Sequence, residues 1–253
     1  MLKLFSAVLA VLTLISPVKR PQESCSHWYI RHTGDHTQPT ADPRFSYLDS
    51  YKAFYVDKKS NEENKVIYLT FDAGYENGNV ERILDTLKQE NVPAAFFILQ
   101  NLVYKNPDLL RRMTEEGHLV CNHTAHHKDM SQANKEEFQN ELREMENVYR
   151  EGCGKEIAKF YRPPEGNFVE ENLAWAEEMG YVTVFWSFAY ADWDNAKQPD
   201  PVRAKKKILD NSHPGEILLL HPTSKTNADI LGDLIAAWKA DGYRFGSLDE
   251  LCK

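Results

Sequence analysis

Residues 64 to 253 predict an α/β fold: a distorted (β/α)7 barrel with its catalytic groups at the strand C-termini. Three observations predict it. From residue 65 onward, short apolar runs alternate with amphipathic helical stretches, the pattern of a parallel sheet with crossover helices. There are about seven such runs in one stretch, which favours a closed, imperfect barrel over an open sheet. Polar side chains of catalytic type stand just after the runs, at the rim where such barrels carry their chemistry.

The elements follow in order. Residues 1–20 read MLKLFSAVLAVLTLISPVKR. One lysine precedes an apolar run from Leu4 to Ile15, too short to span a bilayer and suited to a signal-peptide core. No clean small-x-small cleavage site follows, so a cleaved signal peptide and a retained N-terminal anchor are both open. Either implies an exported, extracytoplasmic protein. Residues 21–63 are rich in Pro, His, Asp, Thr and aromatics, and read as an irregular extension packed on the barrel. "VIYLTF" is the first barrel strand. "NVERILDTLKQEN" is a helix with Val80, Ile83, Leu84 and Leu87 on one face. "VPAAFFIL" is a strand, "NPDLLRRMTEEG" a helix stopped by Gly117, and "HLVCN" a short strand. "NKEEFQNELREMENVYREG" is a long helix, "KFYR" a strand, "VEENLAWAEEMG" a helix and "YVTVFWSF" a strand. "DPVRAKKKILDNS" is a helix, "EILLLH" a strand and "NADILGDLIAAWKADG" the last long helix. "YRFGSLDELC" closes the chain.

Bulk properties exclude some functions. The net charge of the 253 residues is −8. Residues 1–20 hold only cations among their charged groups, so the remainder is more acidic still. Nucleic-acid binding needs basic patches, and none is expected here. No stable protein partner is implied. The four cysteines, Cys25, Cys121, Cys153 and Cys252, form no C-x-x-C pair, which argues against a zinc knuckle. Cys121 lies in a buried-looking strand and reads as a packed free thiol; pairing among the cysteines is left open.

The strand ends supply the chemistry. Asp72 follows the first strand, His123 and His127 the third, Arg162 the fourth, Asp192 and Trp193 the fifth, and His221 the sixth. His123 and His127 are four apart; on a helix both imidazoles would share one face at chelating distance. His126 falls off that face. Arg162 precedes two prolines in "YRPPEGN" and is rigidly placed to clamp a carboxylate. An acid beside a histidine raises the imidazole pKa, so Asp192 with His221 forms a candidate general acid.

The set of "TFDAG", "HTAHH", "RPPEG", "DW" and "LLLH" resembles the polysaccharide deacetylases of the NodB-homology type, carbohydrate esterase family four, over roughly residues 64 to 251. "TFDAGYENGN", "RPPEGNF", "VFWSFAYADW" and "SYLDSYKAFYV" are similar to its PdaA-type branch, peptidoglycan N-acetylmuramic acid deacetylases that make muramic δ-lactam in the spore cortex. The resemblance implies a NodB-like barrel and hydrolysis of an N-acetyl group on peptidoglycan glycan strands. It implies Asp72 as general base, Arg162 as its orienter, and Asp192 as the partner that tunes His221, the general acid. It implies a divalent metal (Zn, Co or Mn) on His123 and His127, and an oxyanion donor near Glu165. Trp193 and Leu220 would wall the acetyl pocket, with Tyr75 also against substrate. Chitooligosaccharide or acetyl-xylan deacetylation, or a decayed glycan-binding protein, are the alternatives.

One position departs from the family. The usual T-F-D-D-G carries a second Asp that ligates the metal, and here it is Ala73. Three arrangements are open: weak metal binding by His123 and His127 with water or substrate completing the shell; replacement by Glu76 or Asn77; or work without tightly bound metal. The first is the expectation.

Overall fold

The computed structural model describes residues 25–253, and the apolar segment of residues 1–20 lies outside them. In chain order the strands are β1 (Ser26–His27), β2 (Ala53–Phe54), β3 (Val66–Ala73), β4 (Ala94–Ile98), β5 (Leu119–Asn122), β6 (Ala158–Tyr161), β7 (Asn167–Phe168), β8 (Val182–Val184), β9 (Glu216–Leu220) and β10 (Arg244–Phe245). The helices are α1 (Asn79–Glu90), α2 (Gln100–Lys105), α3 (Pro107–Glu115), α4 (Lys135–Cys153), α5 (Glu170–Glu178), α6 (Pro201–Asn211) and α7 (Lys225–Ala240).

All strand pairs of the main sheet are parallel. The order runs β2-β8-β6-β5-β4-β3, with β9 on the far side of β3 and β10 also pairing its first residues. The sheet curls until β9 meets the stretch after β8: Ser187 N–H donates to the Ile217 carbonyl at 2.9 Å, and Phe188 bridges Leu218. That single bridge, with no continuous ladder, makes the barrel a distorted one. The predicted strand "YVTVFWSF" is ordered as strand only over Val182–Val184. Beyond it, the chain bends to close this gap.

Strand alternation sorts the core. Ile67, Leu69, Phe71 and Ala73 of β3 join the apolar layer under the helices. Val66 and Tyr68 join the barrel interior with Phe97, Phe160 and Val184. By the same two-residue period, Thr70 and Asp72 point inward. The helices seat as their patterns require: Val80, Ile83, Leu84 and Leu87 of α1 are all buried. α4 begins with a reciprocal cap between Asn134 and Glu137 and ends at Gly154 in the left-handed conformation. Helix α2 was not predicted. It is a six-residue turn wedged between β4 and α3, too short to carry a periodicity.

The described part of the N-terminal extension is packed, not loose. Trp28, Phe45, Leu48, Tyr55 and Val56 form an apolar cluster with Phe168 and Phe185, and β2 adds an edge strand beside β8. β1 pairs antiparallel with β7. The Trp28 N–H donates to the Gly166 carbonyl at 2.8 Å, and its indole N–H donates to the Trp186 carbonyl at 2.9 Å. Gly166 has φ +71, and a Cβ there would lie 2.8 Å from Trp186 and 3.0 Å from Trp28. Only glycine fits this turn after Arg162. All four cysteines are free, and Cys121 is fully buried in the barrel.

Candidate active site

Asp72 and His221 sit on adjacent strand ends at the same height. Phe71 pairs with Leu220 across β3 and β9, so the next residue of each strand stands beside its counterpart. Neighbouring strands lie about 4.8 Å apart. The base and acid candidates therefore share one rim, and each feels the other's charge.

Arg162 holds Asp72 from below. Its Nη1 donates to Asp72 Oδ1 at 2.8 Å. Nη2 donates to Thr70 Oγ1 at 2.9 Å and to the Phe185 carbonyl at 3.2 Å, and Nε to the Val184 carbonyl at 3.0 Å. The guanidinium lies 4.2 Å over the Phe97 ring. Four donated bonds and a π face leave it one orientation, although it is fully buried. Burial works against the charged form of Asp72. The Arg162 guanidinium, with His123 and His221, overrides it and holds the carboxyl below the usual carboxylate range.

His221 is arranged in the opposite sense. Its Nδ1–H donates to Asp192 Oδ1 at 2.7 Å, and its backbone N–H to Asp192 Oδ2 at 2.8 Å. Burial pulls the imidazole down, but the Asp192 carboxylate, helped by Asp72, lifts it above its ordinary value. With Nδ1 engaged, Nε2 is the nitrogen left to deliver a proton. The Trp193 ring stands edge-on, 6.2 Å away by centroids, and is 61% exposed. A large aromatic this exposed beside the imidazole is a candidate contact for a ligand.

The histidine pair comes together without a helix. Residues 123–129 are irregular, and Thr124 and His127 are both left-handed, with φ of 70° and 57°. The rings of His123 and His127 meet at 5.0 Å. Side chains behind the loop hold this strained backbone. Asn122 Oδ1 accepts from the Thr124 N–H, and its Nδ2 donates to the Leu142 carbonyl and the Tyr181 hydroxyl. Glu141 of α4 accepts from the His126 backbone and ring, so His126 is a structural partner here. The sequence reading missed Asn122, Glu141 and Thr70. Thr70 was the legible one, since it shares the inward face of β3 with Asp72.

His123 Nδ1–H donates to the Arg162 carbonyl at 2.8 Å. This leaves Nε2 as a bare lone pair, 3.5 Å from Asp72 Oδ2. Burial pushes the ring down to about 4, so it is neutral at physiological pH. A backbone-anchored neutral imidazole has the chemistry of a metal donor. A third donor is missing. Glu76 turns away to accept from the Gly78 and Glu81 amides. Asn77 bonds the Thr223 carbonyl and the Asn79 amide. Both cap the start of α1, which leaves the alternative that either replaces the missing Asp without support in this arrangement. Ala73 is fully buried in the helix-side core. Among the described residues, no three His, Cys, Asp or Glu side chains are grouped to hold an ion. The donors present fit an open two-imidazole site and do not fit a closed cage.

Three further candidates are placed as follows. Leu220 is 1% exposed and packs in the helix-side core. As a wall of the acetyl pocket it is corrected: strand alternation directs Leu219, and not Leu220, to the barrel interior. Glu165 is exposed at the turn after Arg162 with φ 57°. Tyr75 is 44% exposed and its hydroxyl meets Asn195, which ties the β3 loop to the loop carrying Trp193.

Comparison with known proteins agrees with this geometry. The polysaccharide deacetylase family profile matches residues 59–184. The peptidoglycan-N-acetylmuramic acid deacetylase PdaA of Bacillus subtilis is 38% identical over 226 residues, covering 89% of this chain and 85% of that protein. Its solved structure, described as a family 4 carbohydrate esterase, superposes with a TM-score of 0.86 over 92% of this chain and 98% of that one. A family 4 carbohydrate esterase from Bacillus anthracis is 37% identical, with a TM-score of 0.73 over 90% and 96% of the two chains. A chitooligosaccharide deacetylase of Bradyrhizobium is 36% identical over 73% of this chain and 90% of that protein.

Proposed function

This chain belongs to the polysaccharide deacetylase family, whose members hydrolyse amide bonds, and from that premise we propose that it removes the N-acetyl group from N-acetylmuramic acid in peptidoglycan. The product would feed muramic δ-lactam formation in the spore cortex. One observation carries the chemistry: a carboxylate and an imidazole on adjacent strand ends, each backed by a partner of opposite charge. The substrate assignment is supported by the similarity to PdaA over most of both chains.

Asp72, ionised by Arg162, takes a proton from water as its oxygen adds to the acetyl carbonyl carbon. The C–N bond then breaks, and His221 delivers its Nε2 proton to the departing nitrogen. Acetate and the free amine leave. Each proton transfer contributes about 10²–10⁴-fold. Trp193 and Tyr75 flank the sugar. Family deacetylases are in general metal-dependent. When bound, a divalent ion on His123 and His127 would acidify water and polarise the carbonyl, with water or substrate oxygens as remaining ligands. The apolar run at residues 4–15 supports export, and the peptidoglycan substrate would place the protein at the cell wall or spore.

Mass spectrometry of muropeptides after incubation with the full chain tests this, with Zn²⁺, Co²⁺ or Mn²⁺ added or with chelator. The expected result is loss of one acetyl mass from muramic residues, abolished by chelation. Acetate release from chitin oligomers but not from glycan strands would move the substrate to the chitooligosaccharide class. Full activity in chelator would remove the metal from the proposal.

A further inference from the structure

Behind Asp192 lies a second layer of polar groups that the five motifs do not contain. Asn227, in the first turn of α7, is 1% exposed. Its Nδ2 donates to Asp192 Oδ2 at 2.6 Å and to the His221 carbonyl at 3.0 Å. Its Oδ1 accepts the hydroxyl of Tyr190, itself buried on the loop that carries Asp192. Both side-chain oxygens of Asp192 are thereby engaged. Oδ1 takes the imidazole Nδ1–H, and Oδ2 takes the His221 backbone and the Asn227 amide.

The amide has only one workable orientation. Turned over, its oxygen would face the Asp192 carboxylate and the His221 carbonyl, neither of which has a hydrogen to give. Burial, with Asp192 nearby, pushes the Tyr190 phenol up, so it remains a donor. The backbone of Asn227 is fixed as well. Its N–H donates to Ser224 Oγ at 3.2 Å, and Ser224 donates to Gln198 Oε1 at 2.7 Å. Gln198 in turn donates to the Asp192 carbonyl at 3.3 Å. A buried, fully satisfied network of this kind fixes one geometry.

We infer that Asn227, locked by Tyr190, is a positioning residue that aims the Asp192 carboxylate at His221 and so keeps the general acid protonated at neutral pH. The inference rests on the proposed deacetylation for its purpose, and on geometry alone for its effect on His221. The charged groups facing the imidazole are Asp192, Asp72 and Arg162. Only Asp192 is in contact with Asn227. Without the amide, Asp192 Oδ2 keeps the backbone donor alone, the carboxylate rotates, and the imidazolium loses part of its counter-charge.

The test is an NMR titration of the His221 ring in the full chain, wild type against Asn227→Leu, which keeps the volume and removes the donor. The expected result is a His221 pKa lowered by about half a unit to one unit, with kcat on glycan strands down several-fold and KM unchanged. Tyr190→Phe frees the amide to turn and should move His221 the same way by less. A folded Asn227→Leu protein with an unmoved His221 titration overturns the inference. If that variant does not fold, an unmoved titration in Tyr190→Phe overturns it. The titration needs no substrate. A wrong substrate assignment would leave its shift intact while activity is absent.

Discussion

Two carboxyl groups withdrawn from solvent stand at opposite ends of β3 and β9, Glu216 fully buried and Asp72 nearly so, and one is ionised while the other is neutral. Asp72 lies at the rim and is held below the usual carboxylate range by Arg162. Glu216 lies at the base of β9, neither of its oxygens has a hydrogen-bond partner, and burial pushes it up to about 8. Burial is common to both; the guanidinium is not. Proton affinity in this barrel is set by what a buried group faces, and the rim is where opposite charges have been brought in. His221 repeats the rule with the signs exchanged, lifted by Asp192.

The comparison breaks hardest at Arg162. Arg162→Met should make Asp72 a second Glu216: buried, unpartnered and neutral. Removing one member of a buried pair costs about 3–5 kcal/mol, read in urea unfolding, and activity should vanish with it. Asp72→Asn separates the two effects. It should lower kcat by about 10²–10⁴-fold while the chain stays folded. A folded Asp72→Asn protein with near wild-type kcat would show that the base is another group.

Ala73→Asp sharpens the comparison from the neighbouring position. Ala73 is sealed in apolar packing, so the new carboxylate should destabilise the metal-free protein by about 1–3 kcal/mol. Zn²⁺ should recover that loss if the carboxylate reaches His123 and His127. A melting temperature no more responsive to Zn²⁺ than in wild type would show that it does not.

Glu216 bears on stability and not on the chemistry, with a definite sign. Its folded pKa of about 8 lies above its ordinary 4.5, so the native state binds the extra proton between those values. Its contribution therefore falls as pH rises through that window. Glu216→Gln should remove the part of the stability loss between pH 5 and 8 that this group causes. An unchanged pH dependence of urea unfolding would mean Glu216 is ionised in the fold.

The rim was legible in the sequence because its residues end apolar runs. Asp72 after "VIYLTF" and His221 after "EILLL" needed only the strand pattern and the rule that barrels place chemistry at strand ends. The alternation that aims Asp72 inward equally aims Leu220 outward, which sequence reading did not carry through to the end of β9. The conformation of the histidine loop was not legible, because a four-residue spacing is shared by helices and by loops with left-handed residues. The φ of Thr124 and His127 depends on Asn122 and Glu141, 15 to 20 residues from their partners. Asn227 was invisible for a related reason: a polar residue at a helix start reads as a cap until its neighbour across the barrel is known.

The central claim is that oppositely charged partners keep base and acid in complementary states at one pH. The pH dependence of kcat/KM for Asp192→Asn against wild type tests it most directly. Asp192 raises His221 above 6.5, and the acid acts only when protonated. The basic limb should therefore move to lower pH by about one unit, with the acidic limb of Asp72 unmoved. A basic limb that stays in place would contradict the assignment of His221 as the proton donor.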